Sequence, residues 1–433
     1  MQKPPHPNPL PRSTGGEGTG SPGTFLILSQ VFLPDPASVG QHVADVAIEM
    51  ARRGHRVQVY AANRGYEYPS TKYLPSEILQ GVRVRRLPFS SFGKKRILTR
   101  LIGTVIFMAQ VFVVALCTPN VNGILFSTSP PLIGFVASLA AMFRRVPVAY
   151  WAMDLNPDQL IAMGKITPTS FAARFLEWVN RFILRRSSLV VALDRFMADR
   201  LRPRAALDRK MIVMPPWPHE NRFEPVDPST NPFRVRHGLL GKFVVMYSGN
   251  HSPANPLATL LQAAVNFKDN PNLRFLFVGG GNGKKEVEAI IAEHKLANAI
   301  SLPYQPLADL RFSLSAADVH VVSLGSEMVG IIHPCKIYGS MAVARPILYF
   351  GPRPSHVSDL LDQFNFGWHV PHGDVGGAIR TLDQIRQLPP GQLHEMGQTA
   401  QSVLEGRLSQ ALLTGQFCDA LESHLQLARP AIQ

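Results

Sequence analysis

The sequence predicts an α/β protein of two Rossmann-like domains, each a doubly wound parallel sheet, facing a central cleft. Three observations predict it. Short apolar runs alternate with helical stretches from Thr24 onward, the pattern of strands joined by crossover helices. A Pro-rich passage, PPWPHENRFEPVDPSTNPF at 215–233, interrupts the alternation once, after which it restarts. The length of 433 residues exceeds what a single core usually supports. The expected divisions are an N-terminal appendage at 1–23, a first domain at 24–214 and a linker at 215–241. A second domain follows at 242–400, then a helical segment at 401–433 that packs back on the first domain.

Each element has a local reason. The opening MQKPPHPNPLPRSTGGEGTGSPG is rich in Pro and Gly with almost no apolar residues, so it cannot bury a core. It also lacks the apolar middle of a signal peptide and is expected to be disordered. TFLILS (24–29) is the first strand. VGQHVADVAIEMARRGH then places Val43, Val46, Ala47 and Met50 at helical spacing, with Gly54 as the stop. Further strands are expected at 56–60, 82–87, 123–127, 147–151, 189–193 and 211–214. After the linker they recur at 243–249, 273–281, 300–303, 318–324 and 346–350, and the tail from about Gln392 reads as helix.

The stretch LIGTVIFMAQVFVVALC (101–117) carries no charge and follows Lys94, Lys95, Arg96 and Arg100. Seventeen residues lie at the lower limit for crossing a bilayer. Three readings stand: a buried helix of the first domain, a helix partly sunk in a membrane face, or a span. A crossover between strands of one sheet argues against the span. The net charge of +14 points to an anionic partner. No nucleic-acid-binding signature accompanies it. The partner expected is therefore an anionic membrane surface, met through 94–117, or a phosphorylated substrate. Cys117, Cys335 and Cys418 are widely separated, which fits a reducing compartment and shows no metal-ligand spacing. Cys335 reads as a reactive thiol or, more simply, as a small buried side chain.

Ligands of open α/β sheets bind beyond the carboxyl ends of the strands. In the second domain, YSGNHSPANP leaves the first strand with Gly249 and Asn250. VGGGNGKK leaves the next, at Gly279, without the spacing of a dinucleotide fingerprint. LPYQPL leaves the third with Tyr304 and Gln305. SLGSEMVGIIHPCKIYG leaves the fourth. There Glu327 can accept hydrogen bonds from sugar-type hydroxyls, or act only as a surface or capping carboxylate. Gly330 removes a side chain where a ligand could lie. Pro334 suits the first position of a helix, whose free amides with Lys336 would hold a diphosphate; a solvated surface lysine is the plainer reading. In the first domain Ser38 and Gly40 stand at a helix start facing the cleft, and Asp154 lies just past a strand end. Each of these is also an ordinary helix-cap position.

With these loops in hand, the chain resembles bacterial glycosyltransferases of family 4, which adopt the GT-B fold, and most of all the subgroup building colanic acid and other exopolysaccharides. The likeness rests on PDPASVGQHVADVAIEMARRGHRVQVY, STSPPLIGFVASLAA, YWAMDLNPD, VVMYSGNHSPANPLATLLQAA, FLFVGGG, SAADVHVVSL and PCKIYGSMAVARPIL. It implies metal-independent transfer of a sugar, with retention, from a nucleotide-sugar donor on the second domain to an acceptor on the first. Carried onto this sequence, Gly249 and Asn250 border the diphosphate, with Gly279 in the neighbouring loop, and Tyr304 and Gln305 lie near the base. Glu327 holds the sugar's hydroxyls, and the backbone of Gly330, Ile331 and Ile332 lies against the sugar. Lys336 neutralises the leaving diphosphate, with His333 as the second source of positive charge.

Departures from the family pattern are also legible. Gly339 stands where many members have a second Glu, and Ala344 where they have Gly. Asn250 and Asn255 occupy the places of an Arg and a Lys, and Met153–Asp154 replaces a His–Asp pair. The expected function is a retaining hexosyltransferase acting on a polyprenyl-diphosphate-linked glycan in surface polysaccharide biosynthesis. Its donor would be UDP- or GDP-linked, with no other cofactor, and it would sit peripherally at the cytoplasmic face of the membrane. A catalytically silent nucleotide-binding or scaffold relative, and a nucleotide-sugar epimerase, are the alternatives.

Overall fold

Two sheets organise the chain, and their strand orders explain how distant loops meet. A computed structural model describes residues 23–428 apart from 36, 66–69, 89–96, 219–222 and 225. The appendage at 1–22 and the Lys94, Lys95 and Arg96 cluster therefore lie outside the described residues, as do the side chains of 97–101.

The first domain runs β1 (Thr24–Leu28), α1 (Ser38–Arg52), β2 (Arg56–Ala62), β3 (Ser76–Leu79) and β4 (Val82–Leu87). It continues through α2 (Ile97–Cys117), β5 (Val121–Phe126), α3 (Ile133–Arg144), β6 (Val148–Ala152), α4 (Asp158–Ala162) and α5 (Phe171–Arg186). It closes with β7 (Leu189–Ala192), α6 (Arg195–Leu201) and β8 (Met211–Val213). The sheet order is β3-β4-β2-β1-β5-β6-β7-β8. The central strands are apolar along their whole length because both faces are covered. Right-handed crossovers reverse direction at β1, which puts α1 on one face and α2, α3 and α5 on the other. The antiparallel edge strand β3 departs from the all-parallel expectation. Gln80 and Gly81 turn with φ of 48° and 84°, the left-handed pair of a tight hairpin.

The second domain begins with α7 (Pro232–Arg236), so the expected linker contains a helical turn. Its N-cap Asn231 accepts hydrogen bonds from Phe233 N and Arg234 N. Then come β9 (Phe243–Ser248), α8 (Ala258–Asn266), β10 (Leu273–Val278), α9 (Lys284–Glu293), β11 (Ala299–Leu302) and α10 (Leu310–Ser315). They are followed by β12 (Val319–Ser323), α11 (Lys336–Ala342), β13 (Ile347–Phe350), α12 (His356–Phe364), β14 (Gly367–Val370) and α13 (Val375–Gln387). The order β11-β10-β9-β12-β13-β14 is wholly parallel and reverses between β9 and β12. A ligand crevice forms at such a switch point. The loops after β9 and β12, some eighty residues apart in sequence, flank it.

The tail is two helices, α14 (Pro390–Arg407) and α15 (Gln410–His424). The expected division at 400/401 falls inside α14, and the break comes at Leu408–Ser409. Helix α14 packs on α11, whereas α15 returns to α1. Buried Glu422 there accepts from Arg53 at 3.0 Å and pairs with His55 at 2.9 Å, and Phe417 lies 4.3 Å from the Trp151 ring. Helix α2 buries Phe107, Val111 and Ala115, while Ile102, Val105 and Val113 face outward. Among the described residues no helix is long and apolar enough to cross a membrane.

Candidate functional site

Glycine dictates the geometry around the β9–β12 crevice. Gly249 has φ of 142°, and the stem of Lys336 lies directly on it: a Cβ there would stand 2.4 Å from Lys336 Cε. Gly279, at φ of 131°, approaches so closely that a Cβ would meet Gly249 O at 2.0 Å. Gly280 carries the Tyr304 ring, whose nearest atom would lie 3.0 Å from an added Cβ. Gly249, Gly279, Tyr304 and Lys336 therefore line one surface, with Asn250 beside them; Tyr247 Oη donates to Asn250 O at 2.7 Å. Gln305 donates instead to Pro303 O within its own loop.

Lys336 Nζ stands 5.6 Å from the Tyr247 ring centroid, within range of a cation–π contact. The residue is half-buried, and burial pulls its ammonium down to about 8. Helix α11 starts at Lys336, two residues later than expected from Pro334. The reason is local: Cys335 N bonds to His333 O and Ile337 N to Pro334 O, closing tight turns ahead of the helix. Cys335 is exposed as a residue rather than the buried small side chain expected, but its Sγ donates to His333 O at 3.5 Å and desolvation by the surrounding protein pushes the thiol up to about 12. A group so disfavoured as thiolate is a poor nucleophile.

Glu327 sits in a single helical turn (Ser326–Met328) after β12, against α4 of the first domain. Its carboxylate is exposed and has no protein partner among the described residues. The backbone of 329–333 is largely engaged by protein. Arg200 Nε donates to Val329 O at 2.7 Å, Leu155 N donates to Ile331 O at 3.0 Å, and the Ile331 and Ile332 amides turn back to Met328 O. Gly330, at φ of 70°, faces the other domain, since a Cβ would meet Phe196 O at 2.5 Å. A domain contact therefore accounts for this glycine without a ligand.

His333 is likewise held by protein. Its Nδ1 bonds Asp194 Oδ2 at 2.9 Å across the domain boundary, and its Nε2 bonds Tyr338 Oη at 2.7 Å. Burial is the largest single influence and would raise the Asp194 carboxyl, but the hydrogen bond and charge of His333, with smaller help from His356 and the Met197 amide, together hold it below its ordinary value. His356, its ring 4.3 Å from that of His333, is pushed down to about 3 by burial and by His333. Asp194, His333 and His356 bring donor atoms within 4.8 Å of one another, close enough for a metal ion. Ligation by His333 would break at least one of its two hydrogen bonds. Asp194 and His356 had no signal in the sequence beyond a helix-capping aspartate.

On the first domain, Ser38 is exposed at the start of α1. Gly40 packs tightly on the loop after β1, as a Cβ would lie 3.1 Å from Phe32 N. Asp154, past β6, shares a groove with Ser127, Thr128, Tyr150, Leu176 and Asn180. Its backbone N–H donates to Thr128 Oγ1 at 3.3 Å, and burial raises its carboxyl to about 6. Ionisation is costlier in the folded state, so the penalty is absent below the ordinary value of 3.8, grows as pH rises to about 6 and then stays constant. Asp154→Asn is expected to stabilise the protein by about 1–2 kcal/mol at pH 7.5, after allowance for partial exposure. Urea unfolding at pH 7.5 and near pH 3.5 checks this; equal stability of the two proteins at the higher pH would contradict it.

Comparison with known proteins follows the two-domain division. Residues 38–217 match the family described as glycosyl transferase 4-like domain, and residues 230–403 match glycosyl transferases group 1. The probable glycosyltransferase WbjE of Pseudomonas aeruginosa is 28% identical over 334 residues, 76% of this chain and 82% of that one. The putative colanic acid biosynthesis glycosyl transferase WcaI of Escherichia coli (strain K12) is 22% identical over 341 residues, 74% of this chain and 81% of that one. Among solved structures, HepE of Anabaena, in complex with UDP and glucose, superposes with a TM-score of 0.69 at 16% identity. That match covers 93% of this chain and 100% of the other.

Proposed function

We propose a donor, an acceptor and a mechanism for a chain that belongs to the family 4 glycosyltransferases of the GT-B fold. It moves a hexose-type sugar, with retention and without a metal ion, from a UDP- or GDP-linked donor to a polyprenyl-diphosphate-linked glycan. The reaction belongs to surface polysaccharide biosynthesis at the cytoplasmic face of the membrane, which the protein meets through 94–117. The relative WcaI, named for colanic acid biosynthesis, supports the pathway class, and the nucleotide held by HepE supports the donor class.

One observation carries the donor side: the Lys336 stem lies on Gly249 at the sheet's switch point and sets its ammonium over the Tyr247 ring. In transfer from a nucleotide sugar the developing negative charge gathers on the leaving diphosphate, so a fixed cation there lowers the barrier directly. Glu327, exposed at the domain boundary, is assigned to the sugar hydroxyls, and Asp154 to the acceptor side of the cleft. Gly339 and the asparagines at 250 and 255 keep a silent nucleotide-binding relative in view, and one experiment separates the two. Thermal unfolding with UDP, GDP, CDP and TDP is expected to show stabilisation by UDP or GDP. A ligand at 100 times its Kd adds about 2.7 kcal/mol. Sugar transfer from the corresponding donor then follows; stabilisation without transfer favours the silent relative, and no response to any nucleotide rejects the donor assignment.

A further inference from the structure

Helix α5 has two apolar faces, and a globular core needs only one. Its inner face buries Ala173, Val179, Ile183 and Leu184. Its outer face carries Phe171, Phe175, Trp178 and Phe182, spaced by four, three and four residues and so aligned as one stripe. Phe171 is 84% exposed, Trp178 54% and Phe175 43%. Successive rings stack along the helix, with centroids 6.4, 6.1 and 6.1 Å apart. Phe135 of α3 joins the stripe 5.8 Å from Trp178 and 5.3 Å from Phe182. The same layer continues through exposed Phe143, which meets Phe112 of α2 at 6.2 Å, to exposed Val105 and Val113.

The charge around this layer has one sign. Arg174, Arg181, Arg185 and Arg186 are exposed on α5, and Arg144 and Arg145 end α3. Glu177 is the sole acidic residue in α2, α3 and α5, and its two oxygens pair with Arg181 and Arg204. Aromatic rings bordered by arginines match the boundary of an anionic bilayer, where rings sit at head-group depth and guanidinium groups meet phosphates. A second copy of the chain on this face would set arginine against arginine.

We propose that the α5 aromatic stripe, continued over α3 and α2, docks the protein on an anionic lipid bilayer. The inference builds on the lipid-linked acceptor and adds the surface that meets its membrane. Docking there places the groove between α3 and α5 beside the lipid. Leu132, Leu176 and Ile183 line that groove and Asp154 lies within it. Ser127 Oγ and Asn180 Nδ2, buried in its wall, have no hydrogen-bond partner among the described residues. An acceptor can then keep its hydrocarbon part in the membrane and present its polar end to the cleft.

The test uses the full chain with vesicles of phosphatidylglycerol and phosphatidylethanolamine, and with vesicles of phosphatidylcholine alone. Sedimentation with the anionic vesicles is expected, with quenching of Trp178 emission by lipids brominated along the chain. The triple variant Phe171→Ser, Phe175→Ser, Trp178→Gln is expected to bind at least about tenfold more weakly while unfolding at an unchanged temperature. Val105→Ser with Val113→Ser gives the contribution of α2 separately. Wild-type binding by the folded triple variant overturns the proposal, as does absence of wild-type binding. A dimer that dissociates on the triple substitution, seen by light scattering, overturns it too. Vesicle binding without any nucleotide response leaves docking in place and removes the donor assignment, so the two readings fail separately.

Discussion

Replacing Lys336 with alanine is expected to lower turnover at least tenfold and leave the fold intact. The expectation rests on where the charge sits. The stem crosses Gly249, which has no side chain to displace it, and the ammonium stands over the Tyr247 ring at the switch point of the second sheet. Removing one such electrostatic group from a transition state commonly costs about a hundredfold or more, so tenfold is a conservative bound.

Burial draws the ammonium down to about 8, which fixes two signs. The folded protein bears a cost for the charged form below that value, and the cost fades as pH rises toward the ordinary 10.5. Lys336→Ala therefore loses no charge-based stability. A bound nucleoside diphosphate reverses the shift, so its affinity is expected to weaken as pH rises above 8 in the wild type and to be flatter in the variant. Titration calorimetry across that range, with steady-state turnover, reads both. Unchanged turnover in the variant would remove Lys336 from the reaction.

A single methyl group at Gly330 is expected to cost about 2–5 kcal/mol of stability and most of the activity. Two effects add: a left-handed φ of 70° disfavours any side chain, and the new Cβ would stand 2.5 Å from Phe196 O and 2.9 Å from Met197 N. These are backbone atoms of the other domain, so relief means moving one domain against the other. The 329–333 segment that leads into Lys336 would move with it. Gly238→Ala supplies the control, since φ is 64° and nothing lies within 4 Å of an added Cβ; about 1–2 kcal/mol is expected there. Urea unfolding and turnover of both variants decide the matter. Equal losses at the two positions would mean that conformation alone is at work and the domain contact contributes nothing.

Much of this was legible in the residues. Alternating apolar runs locate nearly every strand, because a strand buried on both faces must be apolar throughout its length. The hairpin before β4 is marked in the sequence only by Gln80–Gly81, since β3 is half-exposed and carries little apolar pattern. Helix α11 starts two residues later than the sequence predicts because Pro334 satisfies the rule for a first helical turn, while the His333 and Pro334 carbonyls take the amides that decide the boundary. The aromatic stripe of α5 is visible as a spacing of four, three and four. Only solvent exposure distinguishes it from an ordinary buried face.

By itself the sequence determined the two-sheet architecture, the family and the loops that border the crevice, because these follow from hydrophobic period and local turn chemistry. Tertiary structure alone decided which residues share a surface. Strand order placed Gly249 beneath Lys336, and domain apposition gave Gly330 a backbone neighbour in Phe196. The same apposition tied His333 to Asp194. Each is a contact between segments far apart in the chain, and local pattern carries no record of which distant backbone will arrive.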